Sequence, residues 1–286
     1  MKAEVNIKPE SDAINLLDVW VSIKKNIRTI LSVTVISTIA AIFYAISIEN
    51  VYRASILAVP ASSESQMSSP LSGIGDQFAG LASMAGIDLS GGQLEIETNI
   101  AVIESKQFTK IFLEGNNILE KLYPEAWDKE SNNWKQGVRI PTFDDILKDL
   151  NGVQNIIFDK RSGLLSVTVD LNDPNSAAEW ANSFMRTANN HLRDMAIKEA
   201  KKNIGFLNNE LLEVKVVQMK QLLNQMIARE TQKIMIANTR DDYAFKIIDP
   251  AFVPDKKIRP QRSLIVIFGA LIGLLFSSFV SFYRTT

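Results

Sequence analysis

The residues of this chain that could do chemistry are few: one histidine, two adjacent acid pairs, and a glycine cluster. General acid–base work needs a group that titrates near neutrality, which makes His191 the first candidate. It lies in a long helical pattern beside Asn190, Arg193 and Asp194, where a solvated or capping role suits it better. Glycoside hydrolysis needs two carboxyls facing each other across a fixed gap. Asp144-Asp145 instead stands at a helix start, where acids favour the free N–H groups, and Asp241-Asp242 stands at a helix end. The stretch "GIGDQFAG" misses G-x-G-x-x-G, and no G-x-x-x-x-G-K-[ST] occurs, so no phosphate cradle is encoded. Without cysteine there is no thiol chemistry or disulfide framework, and a zinc site is disfavoured. The expectation is a protein with no catalytic site, no cofactor and no metal.

What the chain does encode is position. Its 286 residues are 46% hydrophobic with a formal net charge of −1, but the apolar residues are unevenly spread. Thr29 to Ile48 and Ser263 to Tyr283 are uncharged runs. About 20 apolar residues suffice to cross the hydrocarbon of a bilayer. Both runs are apolar on every face, unlike the amphipathic helices of a soluble core. The first begins too far in, and runs too long, for a cleavable signal peptide. The expected plan is a cytoplasmic segment 1–28, a span 29–48, an external domain 49–262, a span 263–283 and a cytoplasmic tail 284–286. Lys24, Lys25 and Arg28 flank the first span on its N-terminal side and place the N-terminus in the cytoplasm. Lys256, Lys257, Arg259 and Arg262 before the second span point the other way; the first helix usually dominates. On that plan the second basic cluster meets the outer surface, where anionic headgroups could hold it.

Within the external domain, "VYRASILAVP" alternates as a strand ending at Pro60. A Ser/Gly-rich stretch follows and reads as loop, with Phe78, Leu81 and Met84 able to form one apolar helical turn. The spacing of Ile100, Ile103, Phe108, Ile111 and Phe112 predicts helix as far as Pro124. Trp127 and Trp134 are packing anchors on one reading and a sugar platform on another. Thr142 with Asp145 three residues on is an acidic variant of the capping box. "VQNIIFDKRSGLLSVTVDL" predicts a hairpin turning at Arg161-Ser162-Gly163. Asp173-Pro174 then provides an N-cap and a proline at the first helical position. Ala177, Ala181, Phe184, Ala188, Leu192 and Met195 share one face of the helix that follows.

That helical pattern runs to about residue 238, which as one rod would measure about 95 Å. The alternative is two helices hinged near Gly205. Leu207, Leu211 and Val214 form one stripe, while Met219, Leu223 and Met226 form another displaced around the axis. One small sheet cannot cover both, so a rod contacting neighbouring chains is expected. "YAFKIIDP" reads as the last strand. Pro250, Pro254 and Pro260 then make a stiff strut over 249–262, because proline fixes its own φ and extends the residue before it. Gly269 and Gly273, a G-x-x-x-G within the second run, allow close helix packing. Arg139, Lys160 and Arg161 could touch saccharide or lipid phosphate, but ordinary surface charge is the simpler account.

In this order the segments "INLLDVWVSIKKNIRTI", "YRASILAVP", "FDKRSGLLSVTVDLNDPNSAAEWAN" and "IDPAFVPDKKIRPQRSLI" resemble those of Wzz-type polysaccharide co-polymerases, the bacterial chain-length determinants. The resemblance implies an α+β periplasmic domain, with a mixed sheet and helices near the membrane and a long helix projecting outward. It implies two inner-membrane spans, a ring-like homo-oligomer and a part in setting the length of O-antigen within lipopolysaccharide biosynthesis. The implied partners are a Wzy-type polymerase and lipid-linked polysaccharide. A second reading is an adaptor for capsule or exopolysaccharide export working with a separate cytoplasmic tyrosine kinase. The kinase that some relatives carry after the second span is not expected here. The topology is directly testable: a reporter fused near residue 150 should be active as a periplasmic enzyme and silent as a cytoplasmic one.

Overall fold

The computed structural model describes residues 27–61 and 91–285, with backbone alone at 91–93 and 281–285. The expected apolar turn at Phe78, Leu81 and Met84 and most of the lead-in 1–28 lie outside the described residues. The chain divides into two compact units: Val51–Lys256, and a second built from residues up to Asn50 together with Lys257 onward.

The first unit is organised around β1 (Val51–Pro60), whose alternate residues Ala54, Ile56 and Ala58 are fully buried. α1 (Ile27–Ser47), in the other unit, precedes it. After the undescribed stretch come α2 (Gly91–Ile103), α3 (Lys106–Gly115) and α4 (Ile118–Leu122). This replaces the single helix expected up to Pro124. Ser105 caps α3 by accepting from the Phe108 N–H, and Asn117 adopts φ 51°, so the chain turns twice before the proline. β2 (Trp127–Asp128) and β3 (Asn133–Trp134) form a small antiparallel ribbon. α5 (Phe143–Val153) starts with the capping box: the Asp145 N–H donates to Thr142 Oγ1 at 3.3 Å and the Thr142 N–H to Asp145 Oδ2 at 3.0 Å.

β4 (Gln154–Asp159) and β5 (Leu164–Leu171) are the expected hairpin. Its turn passes through Gly163 at φ +71°, a conformation glycine adopts at no steric cost. β5 pairs with β1, setting Ile56 against Val167 and Ala58 against Leu165. Arg53 lies opposite Asp170 and holds it with two parallel hydrogen bonds of 2.6 and 2.7 Å. α6 (Pro174–Glu213) crosses over, capped by Asp173, and α7 (Val217–Thr239) leads to β6 (Phe245–Asp249) on the far side of β1. The Ser176 hydroxyl first, and its N–H second, donate to the Asp173 carboxylate and lower its pKa, so this cap is intact at neutral pH and is lost as pH falls through the lowered value.

The strand order is β4-β5-β1-β6. Along this path β4–β5, β5–β1 and β1–β6 all pair antiparallel. The reason is topological. β5 and β6 point the same way across the α6 crossover, but β1 is inserted between them. α6 covers the sheet with Ala177, Trp180, Ala181, Phe184, Met185 and Ala188, all buried against Ile56, Leu165, Val167 and Val169. Each large side chain so buried contributes about 1.5–3 kcal/mol. Phe108 and Phe112 meet Phe184 edge-on at 5.4 and 5.2 Å and close one end of this core. Trp180 Nε1 donates to the buried Gln154 at 2.6 Å, satisfying the indole.

The rod expected over 174–238 is instead a helical hairpin. The helix continues through Gly205 and breaks at residues 214–216, where Val214 and Val216 take extended angles (ψ 129° and 125°). α7 returns alongside α6, burying Ala200, Leu207, Leu223 and Ala237. Folding back buries Leu207 of one displaced stripe and Leu223 of the other within one chain, and the break falls between the two stripes rather than at the glycine.

Two asparagines seven residues apart on α6 anchor β6 and the stretch just after it. Asn189, 2% exposed, accepts from the Ala244 and Phe245 N–H groups at 3.0 and 2.8 Å and donates to the Phe245 carbonyl at 2.8 Å and to Asp242 at 3.3 Å. Asn182 pairs with both backbone groups of Ala251 at 2.8 and 3.0 Å. Asn189→Ala should destabilise by about 2–3 kcal/mol, because buried backbone groups lose their partners. Gly205→Ala, whose new methyl meets nothing within 4 Å, should stabilise by about 0.5–1 kcal/mol. Thermal unfolding of the detergent-solubilised protein, followed by tryptophan emission, reads both.

Candidate functional site

Two surfaces carry the features that function could use: the apolar helix pair of one unit and the helical hairpin of the other. In the first, α1 lies against α8 (Arg262–Thr285), and both are long and apolar enough to cross a membrane. The contact is made of small residues. A Cβ added to Gly269 would collide with Ala41, and one added to Gly273 would stand 2.6 Å from the Ser37 Cβ. Ser37-x-x-x-Ala41 therefore faces Gly269-x-x-x-Gly273, and Ser37 Oγ donates to the Gly269 carbonyl at 2.8 Å. The glycine half of this seam is legible as G-x-x-x-G. The α1 half carries no such motif, although "SVTVISTIAAI" offers the small residues. Around the seam the side chains are apolar and exposed, among them Ile36, Phe43, Phe276 and Phe279 at 65–73%. That distribution fits anchoring in lipid, where close backbone packing rather than apolar burial holds helices together.

β7 (Lys257–Arg259) and the start of α8 complete this unit. Pro260 lies here and follows a cis peptide bond. Pro250 and Pro254 belong to the other unit, in a stretch without helix or strand after β6. Between them Ala251 is buried and fixed by Asn182, while Phe252 is 70% exposed.

On the hairpin, the six residues expected as oligomer contacts separate by burial. Leu207 and Leu223 are buried inside their own chain and so are not free to meet another. Leu211 and Val214 are half-buried, and Met219 and Met226 are exposed. The most exposed apolar side chains, Leu212 and Val217, lie outside the expected set. On α6 the stripe rule selects the side that α7 covers, whereas on α7 Met219 and Met226 lie on their stripe and stay exposed.

The remaining candidates become structural. His191, expected in a solvated or capping role, is half-buried with its ring 5.7 Å from Phe108. Trp127 and Trp134 pack edge-to-face at 5.2 Å, with Tyr123 at 5.4 Å from Trp134, so the indoles pack against each other. Burial and a hydrogen bond to Asp149 push the Tyr123 phenol well above its usual pKa. Lys160 is paired with Glu97 at 2.7 Å, and Asp242 is occupied by Asn189 and the Ile247 N–H. A cleft beside α6 is lined by Glu95, Glu199, Glu230, Lys233, Arg240 and Tyr243, a mixture of signs with Lys233 already facing Glu230. No group of three metal-ligating side chains occurs among the described residues.

Residues 12–115 match the family model described as "Chain length determinant protein" (Wzz), and residues 211–286 match that described as "G-rich domain on putative tyrosine kinase" (GNVR). No curated protein matches the chain. A solved full-length bacterial polysaccharide co-polymerase is similar, with 13% identity over 95% of this chain and 97% of that one and a TM-score of 0.44. A fragment of WzzB, a polysaccharide co-polymerase from Salmonella Typhimurium, is similar at 11% identity over 73% of this chain and 100% of that one, with a TM-score of 0.30.

The seam makes its own prediction. Gly273→Leu should separate the helix pair and lower the melting temperature of the solubilised protein. Ser37→Ala, which removes one hydrogen bond but no packing, should cost about 0.6 kcal/mol. Equal effects of the two substitutions would contradict control by close approach.

Proposed function

The chain carries a Wzz chain length determinant domain and, after it, a GNVR domain, and from that premise we propose that it regulates the length of a bacterial surface polysaccharide without catalysing its synthesis. In this reading the two apolar helices anchor the chain in the inner membrane. Both termini are cytoplasmic and the α/β unit is periplasmic. The observation that carries it is the order of the parts along the chain: an apolar helix, an α/β unit, and a second apolar helix that packs on the first through glycine.

Several copies form a ring-like assembly that works alongside a Wzy-type polymerase on the lipid-linked polysaccharide. The exposed Met219 and Met226 on α7, and Leu211 and Val214 near the turn, provide the contacts between copies. Pro250, Pro254 and Pro260 restrict the backbone between the α/β unit and α8, fixing the stance of the unit over the bilayer. Regulation then works by binding: the assembly governs how long the polymerase keeps its growing chain. The polysaccharide favoured is O-antigen.

A second reading has one observation in its favour, the GNVR match over residues 211–286. In it the chain is a co-polymerase adaptor for capsule or exopolysaccharide export and works with a separate cytoplasmic tyrosine kinase.

Deletion should leave polymer present but remove its preferred length on a gel of surface polysaccharide, and Gly273→Leu should broaden that length distribution while the protein remains membrane-inserted. Loss of all polymer on deletion, or a purified protein that is monomeric in lipid, would contradict the proposal. Affected capsule with unchanged lipopolysaccharide would select the adaptor reading.

A further inference from the structure

At one end of the α1–α8 unit, two cations converge on one neutral atom. Asn50 stands three residues beyond α1, Lys257 opens β7 and Arg262 is the first residue of α8. Asn50 Oδ1 accepts from Lys257 Nζ at 2.9 Å and from an Arg262 terminal nitrogen at 3.2 Å. Two nitrogens at those distances from one oxygen stand at most 6.1 Å apart.

A carboxamide oxygen carries only partial charge and neutralises neither cation. Among the described residues, neither Lys257 nor Arg262 takes part in an ion pair with a carboxylate. Like charges this close repel, the more so where protein lowers the local dielectric. Arg262 adds a second anomaly: its Nε is buried and has no hydrogen-bond partner. A buried donor on a charged group is costly to leave unmet and calls for an explanation. One group would answer both, an anion seated between the two heads and accepting from the guanidinium fork. Arginine's planar donors suit tetrahedral oxyanions, with lysine as the accompanying point charge.

We propose that Asn50, Lys257 and Arg262 form a phosphate seat at the ends of the two apolar helices. Asn50 is the positioning residue, holding both cations in place. Lys257 and Arg262 supply the charge-assisted hydrogen bonds. This rests on the membrane reading under Proposed function, since the ends of spanning helices lie at the depth of lipid headgroups, where phosphate is the abundant anion. The phosphate could come from a headgroup or from free phosphate, and the seat would serve as a depth mark for the anchor.

The test uses the full chain in an uncharged detergent, with native mass spectrometry counting retained molecules. Phosphatidic acid should be retained, and diacylglycerol with the same acyl chains should not. Arg262→Gln and Lys257→Gln should each weaken retention about tenfold, a loss of about 1.4 kcal/mol. Lys257→Arg should keep it, and Lys202→Gln, on helix α6 of the other unit, should leave it unchanged. Displacement by millimolar inorganic phosphate assigns the seat to the free anion; failure to displace assigns it to the headgroup. Retention that is the same in every variant, or as strong for diacylglycerol, overturns the proposal. Resistance to carbonate extraction, measured on the same variants, separates that outcome from failure of the membrane reading: extraction-resistant protein with variant-insensitive retention sinks the seat alone.

Discussion

The α/β unit depends on how closely α6 lies over its sheet. Alanines at 177, 181 and 188 bring the helix backbone down onto β1 and β5, and Trp180 and Phe184 fill the space that their small side chains leave. Everything downstream is placed by that contact. It sets the course of the crossover from β5 to β6, so β1 can occupy the gap between two strands that point the same way. It also turns Asn182 and Asn189 toward β6, where backbone groups that an edge would leave open are met by amides instead. Apolar burial supplies the energy here, and the amides supply the register.

The helix pair obeys a different logic. Its outward side chains are apolar and exposed, so a bilayer offers them the same environment whether or not the helices touch. What distinguishes the touching state is contact at short range, which is available only where Ser37, Ala41, Gly269 and Gly273 remove bulk. The two units therefore hold together by opposite means, one by filling space with large side chains and the other by removing them.

Much of this could be read from residue types alone. Local capping and turn chemistry is specific enough to place single residues, and Thr142 with Asp145, Asp173 with Pro174 and the turn at Gly163 all stand where the sequence puts them. The order of motifs led to the chain length determinants, in agreement with the two family domains. The break at 214–216 escaped because no glycine or proline marks it. Stiff valines in a run of good helix formers give way only because the return of α7 buries Leu207 against its own chain. Gly205 carried the expected signal and yet stays helical, since nothing packs near it to exploit its freedom. Asn182 and Asn189 look like surface polar residues on a helical wheel, and only tertiary structure shows that strand backbone lies opposite. His191 was misplaced for the related reason that Phe108 comes from a distant segment.

The three-residue connection at 214–216 has a consequence for how such a protein could change size. Both legs of the hairpin are tied at the same level: α6 by Asn189, and α7 by the strand it delivers to that same asparagine. An insertion in one leg alone would drag β6 out of alignment. Matched insertions of whole turns in both legs would leave the sheet, the amides and the bulge between Leu57 and Ala58 untouched. Reach could thus be lengthened or shortened like a telescoping arm, by paired increments of about 5.4 Å, while the base stays fixed.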